Sequence, residues 1–256
     1  MNPFLENSFK SRLASRRLQV GLWSGLCSNI VAEILAHSGF DWILLDTEHS
    51  PNELPGLLSQ LQAMKSGHAS PIVRVASNDP VLIKRVLDIG FTSILVAFIE
   101  SEGEAEKAVK ACLYPPAGIR GVTGSGRASQ YGRHTNYLYE ANDSICVILQ
   151  IESLAGLSEL DRIAKMDGVH GVFVGPSDLA ASMGHVGNPS HADVQRTIAD
   201  AGKRLSELGV PAGILSSSEE SAKRYIQWGY SFVAVGSDIG LVANGAGKLV
   251  ALFAEE

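Results

Sequence analysis

Pro71-Ile-Val-Arg-Val-Ala76, then Ser77-Asn-Asp-Pro80, then Val81-Leu-Ile-Lys-Arg-Val-Leu-Asp-Ile-Gly90, then Phe91-Thr-Ser-Ile-Leu-Val-Ala-Phe-Ile99: this stretch decides the fold. Residues 71–76 and 93–99 are β-branched or leucine-rich runs, as expected of strands buried on both faces. Between them Asp79-Pro80 supplies an N-cap and a proline at the first helical position. Leu82, Ile83, Val86 and Leu87 recur on one helical stripe, and Gly90 ends the helix.

The same alternation continues in both directions. Strands are expected at 19–26, 42–46, 146–152, 171–174, 211–215 and 231–236 besides the two above. A helical stripe of Ile30, Val31, Ile34 and Leu35 is closed by Gly39, and another helix over 217–225 is closed by Gly229. Eight strands alternating with helices predict an α/β chain folded as a (β/α)8 barrel. A doubly wound open sheet would need a glycine-rich crevice motif after an early strand, and none follows the first. Residues 4–14 read as a helix preceding the barrel, and 241–253 as an apolar C-terminal helix suited to packing on a neighbouring subunit. Residues 114–142, between strands four and five, read as a long βα connection on the catalytic face. With no repeat or linker, residues 1–256 are expected to form one domain.

Composition excludes several classes of function. Hydrophobic residues make up 45% and charged residues 19%, which fits a compact soluble enzyme and not a disordered chain. The net charge of −6, with no Lys/Arg stripe, argues against nucleic acid. Lys10, Arg12, Arg16 and Arg17 precede no apolar segment of a signal peptide, and no run is long enough to span a membrane. Cys27, Cys112 and Cys146 lack CxxC spacing and read as reduced core residues of a cytoplasmic protein.

Barrel enzymes work at the C-terminal ends of their strands. Those ends carry Asp46-Thr-Glu-His49, Arg74, Gln150 and Glu152, Ser177 and Asp178, and Gly236-Ser-Asp238. Gln150 and Glu152, two residues apart in a strand, face the same way. Glu152 and Asp178, from neighbouring strands, make an all-oxygen cation site with open positions. Such a set accepts Mg²⁺, Mn²⁺ or Co²⁺ alike. His49 is the natural general base, with Asp46 close enough in sequence to orient it. Arg74 offers an always-protonated fork to a developing oxyanion. His185 and Asp238 read as structural, and Trp23 as wall or core.

Asp46-Thr-Glu-His49, Tyr114-Pro-Pro-Ala-Gly-Ile-Arg-Gly121, Gln150-Ile-Glu152 and Val174-Gly-Pro-Ser-Asp-Leu179 resemble class II pyruvate aldolases, the family of hydroxy-oxo-heptanedioate and dehydro-deoxy-glucarate aldolases. The likeness covers nearly the whole chain. It implies a metal-dependent (β/α)8 aldolase, usually a hexamer, that makes or cleaves a bond to the methyl carbon of pyruvate, the other product being an aldehyde. It also assigns the His49-supporting role to Asp88, which ends a helix at the opposite face and would have to act from a neighbouring subunit. Gln150 and the backbone at Ser177 and Asp178 match the family's pyruvate-binding positions. Arg127 and Arg133 become candidates for reading the anionic far end of the aldehyde. Relatives often carry proline where this chain has Ala97, which bears on the pocket wall near Phe98. The segment 235–240 leans toward the dehydro-deoxy-glucarate branch.

Other chemistries compete less well. A Schiff-base aldolase needs a lysine at a strand end, and none of the nine lysines closes a strand. A thioester lyase of the same fold would want a basic groove. A phosphate site at Gly236-Ser-Asp238 would be repelled by the aspartate. A silent sugar-acid-binding barrel would lack its base, whereas His49 is present.

Overall fold

The computed structural model describes residues 5–254. Its eight parallel strands are β1 (Gln19–Ser24), β2 (Trp42–Asp46), β3 (Ser70–Val75), β4 (Ser93–Val96), β5 (Cys146–Ile151), β6 (Gly171–Val174), β7 (Ala212–Leu215) and β8 (Tyr230–Ser237). They pair in chain order, and β8 returns to β1, so the sheet closes on itself as the strand count predicts. In the stretch that decided the fold the helix and its cap behave as read. Asp79 accepts the N–H groups of Val81 and Leu82 at 2.7 and 3.1 Å, and the helix it caps runs Pro80–Asp88. Among the described residues no helix is long and apolar enough to cross a membrane.

Two layers of apolar packing follow from the two faces of each strand. Side chains pointing outward meet the surrounding helices in one continuous core that includes Ile43, Val73, Ile94, Val147 and Val172. Those pointing inward, among them Trp42, Leu44, Ile72, Leu95, Ile148, Phe173 and Phe232, fill the barrel itself. The helix Ser8–Ala14 closes the N-terminal end: Phe9 and Leu13 are buried, and the Phe9 ring meets Trp42 and Phe232 edge-on at 6.2 and 5.9 Å. Residue 4, expected at the start of that helix, lies outside the described residues. Gly21 is needed here, because a Cβ would stand 2.1 Å from the Trp42 indole.

Three expectations are corrected. The helix Glu102–Cys112 occupies the crossover after β4, so the irregular segment that follows it is an αβ connection. It therefore lies at the N-terminal face of its own barrel and not at the catalytic face. Strand four stops at Val96 rather than Ile99, because Phe98 takes a left-handed backbone, φ 57°. Cys27 is half-exposed with φ 55°, so only Cys112 and Cys146 belong to the core.

Candidate active site

The register of the barrel sets the site. Asp46 and Arg74 are partners across β2 and β3, at the C-terminal ends where both side chains turn inward. Arg74 donates through Nε to Asp46 Oδ1 at 2.8 Å and through Nη2 to Oδ2 at 2.7 Å, a two-bond fork. Its Nη1 lies 2.8 Å from Glu48 Oε2. Trp23 floors this group: the guanidinium carbon stands 4.8 Å from its ring centre, and the indole N–H donates to Asp46 Oδ2 at 3.3 Å. Arg74 and Asp46 are both buried. Burial alone would raise the Asp46 carboxyl, but the Arg74 bonds and charge outweigh it and hold the group below its ordinary value.

Glu152 follows directly on β5 and is buried, 3% exposed. Gln150, two residues back on the same face, donates its amide N–H to Glu152 Oε2, and the Phe98 backbone N–H donates to Oε1 at 3.1 Å. The turn that ends β4 early thus delivers a donor to this carboxylate. Gly175 makes room for it, since a Cβ there would lie 2.3 Å from Glu152 Oε2. Burial pushes the Glu152 carboxyl up to about 7; the Gln150 bond opposes this, and the Asp178 and Glu48 charges add to it.

Asp178 lies in the first turn of the helix Pro176–Ser182 and, like Ser177, is solvent-exposed. His49 is exposed as well, in the loop after β2. Burial raises the half-buried Glu48, and the Arg74 and His49 charges pull it back. These mutual influences tie Asp46, Glu48, His49, Arg74, Glu152 and Asp178 into one electrostatic unit with Gln150 beside it. Four carboxylates around a single buried guanidinium leave a deficit of positive charge, which a divalent cation would supply. The donor set is all oxygen, the Gln150 Oε1 is buried with no partner, and the glycine cradle holds Glu152 in place. The residues fit a hard cation.

Asp88 and Arg127 do not join this unit within one chain. Asp88 accepts from Arg120 Nη2 at 2.8 Å, and Arg120, buried to zero side-chain exposure, stacks 4.4 Å from the Tyr114 ring centre. Arg127 donates from Nη1 to the Ile89 carbonyl at 2.7 Å. Both therefore sit at the end of the Pro80–Asp88 helix, opposite the mouth. Asp238 is structural as read: buried, it accepts from Ser24 Oγ at 2.8 Å and from the N–H groups of Gly25, Leu26 and Ile239. From sequence Glu48 offers at most an ion pair to Arg74, Phe98 a place in the pocket wall, and Gly175 nothing. Glu48 and Gly175 stand inside quoted motifs, but only the fold shows what they touch.

A closed barrel whose mouth gathers carboxylates, a guanidinium and a histidine has the build of a (β/α)8 enzyme. Residues 19–245 match the family model described as HpcH/HpaI aldolase/citrate lyase. The chain is 49% identical over 252 residues to a 5-keto-4-deoxy-D-glucarate aldolase of Salmonella arizonae and 48% to one of Escherichia coli O157:H7, covering 98% of each chain in both cases. The crystal structure of an HpcH/HpaI aldolase/citrate lyase family protein from Burkholderia cenocepacia superposes with a TM-score of 0.94 at 37% identity, over 98% of this chain and 100% of that one. The chain belongs to the HpcH/HpaI aldolase/citrate lyase family, and it is an aldolase, a carbon–carbon lyase.

Proposed function

We propose that the chain cleaves 5-keto-4-deoxy-D-glucarate, or a closely related 2-oxo-3-deoxy sugar acid, to pyruvate and a three-carbon aldehyde acid, using a divalent cation held by Glu152 and Asp178. The observation that carries this is the buried Glu152 carboxylate, cradled at Gly175 and raised to about 7, beside an unpartnered Gln150 oxygen. The names of the relatives supply the substrate class.

The cation, when bound, would polarise the 2-oxo group and offset charge on its oxygen. The backbone at Ser177 and Asp178, with Gln150, holds the pyruvyl carboxylate. His49 takes the proton from the C4 hydroxyl as the C3–C4 bond breaks. The electron pair of that bond moves toward the C2 oxygen, where the Arg74 donors not bound to Asp46 receive the growing charge. Asp46 fixes the plane of that guanidinium. A proton returned to C3 completes pyruvate.

The complete site is proposed to span subunits of a homo-oligomer, a hexamer if it follows the family. Beyond Asp238 none of the helix Asp238–Phe253 is buried, and Leu249, Val250, Leu252 and Phe253 are 62–84% exposed. Beside β1 and β8 runs a groove of about 1340 Å³, lined by Leu22, Phe40, Val235, Tyr225 and Trp228 among others. A bare apolar helix beside a groove of mixed polar and apolar lining supports contact between copies. Asp88 and Arg127, far from their own mouth, would then serve a neighbour's, Asp88 supporting His49 and Arg127 meeting the far carboxylate. The free cysteines accord with a cytoplasmic location.

The decisive experiment measures pyruvate release from 5-keto-4-deoxy-D-glucarate with Mg²⁺, Mn²⁺ or Co²⁺ and after chelation. Glu152→Ala and Asp178→Ala should each abolish turnover and cation binding. Full activity in excess chelator would sink the cation-dependent reading.

A further inference from the structure

Where the loop after the helix Pro176–Ser182 enters the helix Ala192–Leu208, a second group of ligating side chains gathers, separate from Glu152 and Asp178. His185, His191 and Asp193 present nitrogen and carboxylate donors that all lie within 4.8 Å of one another. His185 Nε2 stands 4.0 Å and His191 Nδ1 3.8 Å from the same oxygen, Asp193 Oδ2. The geometry points to a cation site here, selective for a borderline transition ion such as Zn²⁺ or Ni²⁺ rather than for Mg²⁺.

Three features support a site over a chance cluster. The first is the way the loop brings the histidines together. Asn188 N–H bonds the His185 carbonyl at 2.9 Å, and His191 N–H bonds the Asn188 carbonyl at 3.1 Å. Gly184 and Gly187 adopt φ 82° and 74°, conformations that glycine takes without strain. Gln195 pins the loop by donating to the Pro189 carbonyl at 2.8 Å. The outcome is two imidazoles stacked at 3.6 Å between centres, 15° from parallel, with their edges toward one carboxylate.

The second is which atoms the side chains present. His191 Nδ1 accepts the Asp193 backbone N–H at 3.2 Å as the cap of the long helix, so this nitrogen carries a lone pair, which an ion would take over from that N–H. Asp193 Oδ1 is engaged by Arg196 Nη2, which leaves Oδ2 for the histidines. An oriented carboxylate of this kind resembles the outer support found around metal ligands.

The third is the fit in distance. Donors around a tetrahedral zinc ion, each roughly 2.0–2.1 Å from it, stand roughly 3.3 Å apart. The separations of 4.0 and 3.8 Å to the carboxylate oxygen therefore need to close by well under an ångström, and the two imidazole donors, within 4.8 Å of each other, by up to about 1.5 Å. Stacked rings must also fan apart so that their nitrogens converge, a motion about a soft terminal torsion of histidine. The His185 side chain is 28% exposed, that of His191 36% and that of Asp193 47%, so an ion has access and water can complete its coordination. Two imidazoles with one carboxylate suit Zn²⁺, Ni²⁺ or Cu²⁺, whereas the all-oxygen mouth suits Mg²⁺ and Mn²⁺. An ion here would clamp the exit of the helix that carries Asp178 to the long helix Ala192–Leu208. It takes no part in bond cleavage.

Zn²⁺ titration calorimetry on chelator-treated full-length protein, in the presence of millimolar Mg²⁺, separates the two sites. Glu152→Gln should still bind one Zn²⁺ per chain. Adding His185→Ala to that variant should weaken the remaining site at least tenfold. His185→Ala alone should keep Mg²⁺-supported pyruvate release. Cu²⁺ bound to Glu152→Gln should show nitrogen hyperfine splitting by electron paramagnetic resonance, a reading that does not depend on how the loop variant folds. No zinc bound by Glu152→Gln, affinity unchanged by His185→Ala, or a copper spectrum without nitrogen coupling would each overturn the assignment.

Discussion

Arg74 is held by Asp46 through two parallel hydrogen bonds of 2.8 and 2.7 Å, between strands whose register sets the two residues side by side. The fork commits Nε and one edge of Nη2, and it fixes the guanidinium plane above Trp23. Nη1 lies 2.8 Å from Glu48 Oε2, so one further N–H on each of Nη1 and Nη2 stays uncommitted. Orientation is therefore supplied by Asp46, with Glu48 on the other side of the guanidinium.

Two substitutions separate these roles. Arg74→Lys keeps the charge but loses the planar fork, so kcat should fall by roughly 10²–10³, as when an oxyanion donor is lost. Asp46→Ala strips a buried guanidinium of its main partner and should destabilise the fold by about 3–5 kcal/mol, read in thermal or urea unfolding. If Arg74→Lys retained parental kcat, Arg74 would be only an ion-pair partner of Asp46 and Glu48.

Gly175→Ala tests the cradle without touching a ligand. The added methyl would meet Glu152 Oε2 at 2.3 Å and Glu152 Cβ at 2.9 Å, and buried backbone leaves it little room to yield. Cation affinity should fall at least tenfold, with circular dichroism unchanged. Unaltered affinity would show that the carboxylate position is not set by this contact.

Much of this site could be read from the chain because barrel chemistry sits where strands end. Asp46, Arg74, Gln150, Glu152 and Asp178 each close a hydrophobic run, or follow one closely, and such runs are the plainest signal a buried parallel strand gives. The misread connection has an equally physical cause. The helix Glu102–Cys112 buries Ala105, Ala108, Val109, Ala111 and Cys112, a face of mostly small side chains. Small residues give weak hydrophobic periodicity, so that helix leaves little trace and residues 114–142 read as a βα connection. Phe98 could not be found either, because its contribution is a backbone N–H aimed by a left-handed turn, and side-chain chemistry does not encode that.

Asp88 and Arg127 carry the subunit question. Asp88→Ala should be inactive if its carboxylate supports His49 of a neighbour, yet its own mouth would be intact. Glu152→Ala spoils the mouth and leaves the Asp88 end intact. Co-expressing the two inactive chains should restore activity, because mixed oligomers contain some interfaces with both groups. Arg127→Ala should weaken cleavage of a dicarboxylic substrate far more than proton exchange at the pyruvate methyl group. Co-expressed chains that form mixed oligomers but remain inactive would place both residues outside the site.

Glu152 gives the pH dependence its sign. Its carboxyl titrates near 4.5 in an unfolded chain and near 7 in the folded one, chiefly because burial penalises the charge. Between those values the folded state holds the extra proton, so the stability of the cation-free protein should fall as pH rises from about 4.5 to about 7 and then level off, a contribution of roughly 3 kcal/mol. Cation binding runs the other way, since the ion must displace that proton. Affinity should therefore drop as pH falls below about 7, approaching tenfold per pH unit, and stay flat above it. Calorimetric titration with Mn²⁺ from pH 5 to 8.5 checks the second trend, and urea unfolding of the cation-free protein over the same range checks the first. Glu152→Gln should flatten the unfolding profile in that window. Mn²⁺ affinity independent of pH below 7 would mean that the carboxylate is already ionised when the cation arrives.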